Sequence, residues 1–263
     1  MITVDGRRVR DEQDSSPLAG FPAARDPQEG PRLRTGLTAG RVLRALVRLA
    51  LGLVVAWVAA VLLLGLAYTI VPPVSTLMLG RWVTAQGVER DFVPLEEISP
   101  YLPAAVIASE DARFCAHHGV DWEALWEVVE EADEEGPSRG ASTIPMQAAK
   151  NVFLWPSRSY LRKGLEIPIA LYIDLVWSKR RMIETYLNVA EWGDGVFGAE
   201  AAAQRYFRKP ARDLNRREAA LLAKALPSPL RRNPGRPTPG HRRLAERLMP
   251  QIDTAGALTA CLK

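Results

Sequence analysis

The chain has 263 residues, 48% hydrophobic and 24% charged, with a net charge of +4 and only two cysteines. That length holds one good-sized domain or two small ones, and the composition excludes a disulfide framework. Nine arginines against six acids put +3 on residues 1–48 and leave +1 for the rest, so the basic balance gives no reason to invoke nucleic acid.

Residues 1–40 are rich in Pro, Gly, Arg and Asp without a hydrophobic period, which predicts a disordered tail. Leu49 to Val71 is an uncharged run of 23 residues. At about 1.5 Å per residue it crosses a bilayer core of roughly 30 Å. The run is apolar on every face and longer than most buried core helices, and with nearly fifty residues before it the run is too long for a cleavable signal. Arg41, Arg44 and Arg48 sit just before the run, so the N-terminus is expected in the cytoplasm. That makes the chain a single-pass protein of the inner (plasma) membrane. Residues 72–250 become an extracytoplasmic domain and 251–263 a C-terminal tail.

Pro72-Pro73 ends the span. Thr76 to Val83 (TLMLGRWV) suits either a helix at the membrane surface or an ordinary domain-edge helix. Ser99-Pro100 reads as a helix start, a cap followed by proline in the first turn. Leu102, Val106 and Glu110 then recur at four-residue spacing, which puts Glu110 on or beside an apolar stripe.

Trp122 to Glu135 reads as a helix whose acidic end is a solvated face, followed by a mobile flap. Ser142 or Thr143 can cap a helix that tolerates Pro145 in its first turn. Ser159 to Trp177 is long, apolar and kinked at Pro168. Lys179 to Asn188 and Gly198 to Phe207 are helices around a glycine-rich turn, EWGDGVFG. Asn215-x-x-Glu218 is a capping-box signature before AALLAKAL, which Pro227 stops. No stretch alternates convincingly with period two, so the domain reads as all-α. Cys115 and Cys261 lie too far apart in sequence to imply a bond, and a free, partly buried Cys115 is expected.

Three segments put charged or amide side chains into apolar helical surroundings, where an ion costs free energy unless a ligand or partner offsets it. They are ASEDARFCAHHG with Glu110, GASTIPMQAAKN, and RKGLEIPIA with Glu166. A glutamate in an apolar cleft, with lysine or arginine nearby, suits proton removal from a hydroxyl and neutralisation of an anionic leaving group. Simpler readings stand beside this one. Glu110 with Arg113 makes a surface ion pair, and Arg162 with Glu166 makes an intrahelical one. His117-His118 comes without HExxH or a carboxylate triad, and no metal ligand is assigned.

Together these segments resemble the motif series of the peptidoglycan glycosyltransferases, glycosyltransferase family 51, from about Pro72 to Pro234. Glu110-Asp111-x-x-Phe114-x-x-His117-x-Gly119 matches the first motif at every defined position. Glu184-x-Tyr186-Leu187-Asn188 through Gly198 resembles the fourth, and Arg217 to Pro227 the fifth. The family pattern reads Thr or Ser and then Gln where Pro145 and Met146 stand, so one amide contact is missing and Gln147 keeps the other.

The resemblance implies a lysozyme-like, all-α domain that polymerises glycan strands. The growing lipid-linked glycan passes to the 4-hydroxyl of lipid II, with inversion and release of undecaprenyl diphosphate. Glu110 is then the general base and Glu166 the second carboxylate, near the donor. Asp111, His117, Ser142, Thr143, Gln147, Lys150, Asn151, Arg158, Arg162 and Lys163 bind substrate. No cofactor is required, although Mg or Mn can bridge Glu166 and the diphosphate. Implied partners are lipid II, the lipid-linked strand, the membrane, and division or cell-wall synthesis proteins. The chain lacks Ser-x-x-Lys, so no transpeptidase nucleophile accompanies the polymerase, and a monofunctional enzyme is expected. A lysozyme-like glycan hydrolase and an inactive lipid II-binding scaffold are the alternatives. Hydrolysis also uses two carboxylates but has no diphosphate to neutralise.

Overall fold

A computed structural model describes residues 39–130, 142–157 and 159–263. Nearly all of the expected tail, the 131–135 end of the helix expected from Trp122 to Glu135, the start of the flap after it and Arg158 lie outside those residues. The architecture is predominantly α-helical, as the apolar periodicities predict.

The first helix, α1, runs from Ala39 to Ala67 and is long and apolar enough to cross a membrane. It starts ten residues before the uncharged run, because Arg41, Arg44 and Arg48 are good helix formers and extend it. From Gly52 onward the chain forms one compact unit. The end of α1 is docked within that unit. Trp177 Nε1 donates to Gly65 O at 2.7 Å and Tyr172 Oη to Leu62 O at 2.5 Å. The guanidinium of Arg181 donates to the carbonyls of Tyr68 (2.8 Å) and Val71 (2.6 Å). Gly65 permits the approach, since a Cβ there would lie 2.5 Å from the Tyr172 ring.

The second helix, α2 (Thr76–Val83), buries Met78 and leaves Leu79, Trp82 and Val83 exposed. The third, α3 (Tyr101–Glu110), holds Leu102, Val106 and Ile107 fully inside. Ser99 does not cap it. Pro100 occupies the cap position in a helical conformation, and the Ser99 hydroxyl donates to Leu214 O at 2.7 Å.

Beyond α3 come α4 (Trp122–Glu130), α5 (Ile144–Phe153) and α6 (Tyr160–Val176), the last an unbroken assignment containing Pro168. Then follow α7 (Lys179–Val189), α8 (Ala199–Phe207), α9 (Arg216–Ala225) and α10 (Pro239–Asp253). Thr143 caps α5 through its hydroxyl, and the Asn215–Glu218 capping box of α9 is complete in both directions.

The mainly α fold stands with one addition, and the cysteine expectation needs correction. A small sheet is present: β1 (Glu89–Arg90) pairs in parallel with β3 (Val196–Phe197), which pairs antiparallel with β2 (Glu191–Gly193). Strands of two and three residues are too short to alternate visibly, and the glycine-rich turn is their hairpin. Cys115 is not free either. It is bonded to Cys261, with the Cα atoms 5.5 Å apart. Folding removes the 146-residue separation that made the pair unreadable in sequence.

Candidate active site

Glu110 is the last residue of α3, half-buried where the helix opens into a loop. Its Oε1 accepts from the Ser109 hydroxyl at 3.0 Å, and its Oε2 accepts from Gln147 Nε2 at 3.4 Å. Gln147 is oriented from the other side, because Tyr186 Oη donates to its Oε1 at 2.9 Å. Tyr186 is fully buried and its hydroxyl is held protonated well above the usual range, first by burial and then by the charges of Glu110 and Asp111.

Asp111 joins the first two motifs. Its Oδ2 accepts from the first free backbone N–H of α5, at Ile144, at 2.8 Å. Both its oxygens lie within 3.0 Å of His117 Nε2. His117 is buried, and Lys179 Nζ donates to its carbonyl at 2.7 Å. The Thr143 hydroxyl donates to Gly119 O at 2.6 Å, a second tie between the same segments. Gly119 needs its missing side chain: its φ is +80°, and a Cβ would meet Ala170 O at 2.8 Å. His118 is exposed, as expected of a residue outside the site.

Glu166 is only 2% exposed, and both its oxygens are paired. Arg162 holds Oε1 and Lys163 Nζ holds Oε2 at 2.8 Å. Lys163 also donates to the Ser142 hydroxyl at 2.5 Å, which ties the third motif to the second. A buried ion pair of this kind is costly to break, because the remaining charge is left unpaired out of water.

A cavity of about 340 Å³ opens beside these groups. Gln147, Lys150 and Asn151 of α5 line it, together with Arg162 of α6 and Tyr186 of α7. Glu110 and Glu166 do not line it, but each is bonded to a residue that does, Gln147 and Arg162. Burial lowers the pKa of Lys150; Glu166 opposes that fall, Arg162 and Lys163 add to it, and Glu110 opposes it. An anion entering the cavity meets a largely buried lysine and an arginine.

The predicted residues are thus brought together, apart from Arg158, which lies outside the described residues. Pro145 is buried and Met146 is 1% exposed, so both departures from the family pattern sit in the core. Four residues near the site are additions to the predicted set. Ser109 and Tyr186 hold Glu110 and Gln147, and Lys224 Nζ donates to the Ser109 hydroxyl at 2.9 Å. Glu191 lines the cavity, its pKa raised by burial against a bond from the Gly195 N–H and the charge of Arg81. The signal for Lys224 was visible, a single cation inside the apolar run AALLAKAL. For Tyr186 the signal was its place in the fourth motif, which says nothing of what a buried tyrosine touches.

An apolar N-terminal helix and an α-helical domain with acids beside a cavity that carries cations are the features of a membrane-associated enzyme. The family model described as Transglycosylase matches residues 78–252, and the chain belongs to that family. It is 52% identical over 208 residues to a biosynthetic peptidoglycan transglycosylase of Agrobacterium fabrum, covering 76% of this chain and 92% of that one. A protein of the same description from Rhodospirillum centenum is 53% identical over 210 residues, 77% of this chain and 90% of the other. One from Brucella suis is 49% identical over 220 residues, 84% and 98%. The chain is therefore a glycosyltransferase of peptidoglycan synthesis.

Proposed function

We propose that the enzyme polymerises glycan strands on the outer face of the membrane, with lipid II and the lipid-linked strand as its substrates and its N-terminus in the cytoplasm. Glu110 takes the proton from the 4-hydroxyl of lipid II as that oxygen attacks the anomeric carbon of the growing strand. The configuration inverts, and undecaprenyl diphosphate leaves. The observation that carries this reading is the pairing of a carboxylate held by two donors, Ser109 and Gln147, with a cavity wall bearing Lys150 and Arg162.

Each oxygen of Glu110 has one donor, and a carboxylate oxygen has a second lone-pair site for an incoming hydroxyl. Lys150 and Arg162 neutralise the departing diphosphate where its charge develops. Ser142, Thr143 and Asn151 complete the donor side, Asp111 and His117 fix the acceptor side, and Arg158 is assigned to the diphosphate by family resemblance. Glu166 keeps Arg162 and Lys163 in place through its own charge. A divalent cation bridging Glu166 and the diphosphate would compete with those two side chains for the same oxygens.

The test is incubation of detergent-purified protein with labelled lipid II, wild type beside Glu110→Gln, with products resolved by length. A ladder of long strands from the wild type alone is expected. Full activity in Glu110→Gln removes the base assignment, and shortening of preformed strands replaces polymerisation with hydrolysis.

A further inference from the structure

Glu110 accepts a hydrogen bond from a hydroxyl that itself accepts one from a cation. Lys224 Nζ donates to Ser109 Oγ at 2.9 Å, and Ser109 Oγ donates to Glu110 Oε1 at 3.0 Å. Lys224 sits near the end of α9, half-buried, on a helix otherwise committed to the core through Leu221 and Leu222. A lysine in that position gives up hydration, and burial accordingly lowers its pKa, opposed by the charge of Glu110 and assisted by that of Arg232.

A serine hydroxyl has one proton to give and two lone pairs to receive. On a helix its usual outlet is the carbonyl one turn back, a bond that competes with any other donation. An ammonium on Oγ occupies a lone pair and turns the proton toward the negative carboxylate, which strengthens the donation. The charged and titratable groups facing Glu110 come from four directions. Asp111 follows it in the chain, Lys150 stands on α5, Tyr186 on α7, and Lys224 on α9 with Arg232 donating to the Lys224 carbonyl at 2.6 Å. Of the lysines, Lys150 faces the cavity, whereas Lys224 is connected to the carboxylate by hydrogen bonds.

We propose that Lys224 is a positioning residue for the glycosyl transfer, holding the Ser109 hydroxyl as a fixed donor to Glu110 so that the carboxylate stays oriented as the base. The inference rests on the assignment of Glu110 as the base. It adds a cation that reaches the carboxylate through the Ser109 hydroxyl.

Initial rates of lipid II polymerisation by the full-length protein test it with Lys224→Met, Lys224→Arg, Ser109→Ala and Glu110→Gln. Without the ammonium the Ser109 hydroxyl is free to turn to the carbonyl one turn back, so Lys224→Met is expected to lower kcat about tenfold with KM and Tm unchanged. Lys224→Arg should restore the wild-type rate. Ser109→Ala should reproduce the loss, and the double variant should be no worse than either single one. An unchanged kcat, or a loss that follows a lower Tm, overturns the proposal. Lys224→Gln replaces Lys224→Met should the latter fail to fold, with the same outcomes read. Polymerisation by Glu110→Gln is a separate failure: it removes the base itself, whatever Lys224 does.

Discussion

The Tyr186 hydroxyl donates to Gln147 Oε1 at 2.9 Å, and that bond turns the amide so that its NH₂ faces Glu110. A buried phenol from the fourth motif thereby sets the direction of a polar group from the second. Tyr186→Phe deletes the donor while keeping the ring. The expected loss is about 1 kcal/mol of orientation, or roughly fivefold in turnover, with little change in Tm. Unaltered turnover would show that Gln147 needs no such guide.

Asp111 accepts from Ile144 N and His117 Nε2, two groups with no water to replace it. Asp111→Ala strands both and should cost about 2–4 kcal/mol, read as a lower denaturation midpoint. Asp111→Asn keeps one acceptor oxygen and should recover part of the loss. Equal midpoints for the two variants would contradict the capping role.

Met146 fills a core position that the family pattern gives to glutamine. Restoring the pattern with Met146→Gln buries an amide among apolar neighbours. A penalty of about 1–3 kcal/mol is expected, without a gain in polymerisation rate. A faster enzyme would mean that this position does reach the donor.

Burial holds the Lys150 ammonium below the free value of 10.5. The unfolded chain keeps that proton to higher pH than the folded one, so stability rises as pH climbs from the folded pKa toward 10.5 and is level beyond it. Donor affinity runs the opposite way over the same interval, because the cleft loses a charge. Lys150→Arg stays cationic and should retain lipid II binding at alkaline pH where the wild type weakens. Superimposable binding curves from pH 7 to 10.5 would dismiss Lys150 as the group responsible.

The Cys115–Cys261 bond closes a loop of 146 residues. Loop-closure entropy sets its contribution at up to about 5 kcal/mol. Cys115→Ala/Cys261→Ala should melt several degrees lower and still make long strands at 25 °C. An unchanged midpoint would show that the bond constrains nothing the fold has not already fixed.

Much of this was legible in the chain. Helices with a local cause, such as the Asn215–Glu218 box or the Thr143 cap, were readable because cap and helix lie within a few residues of one another. Glu110 and Glu166 were readable because an acid in an apolar helix is an anomaly with few explanations. The contacts that assemble the site were not. Tyr186 reaching Gln147, Lys224 reaching Ser109 and Cys261 reaching Cys115 join residues 39 to 146 positions apart. No periodicity carries that information. The small sheet was missed for the opposite reason, since its strands are shorter than any pattern that could announce them.

The carbonyls of Leu62, Gly65, Tyr68 and Val71 are all held by side chains of Tyr172, Trp177 and Arg181. The last turns of the apolar helix therefore belong to the wall of the domain, and no slack separates them from it. On the proposed reading, with lipid-anchored substrates, four carbonyl contacts stand where a linker would otherwise join the end of that helix to the site.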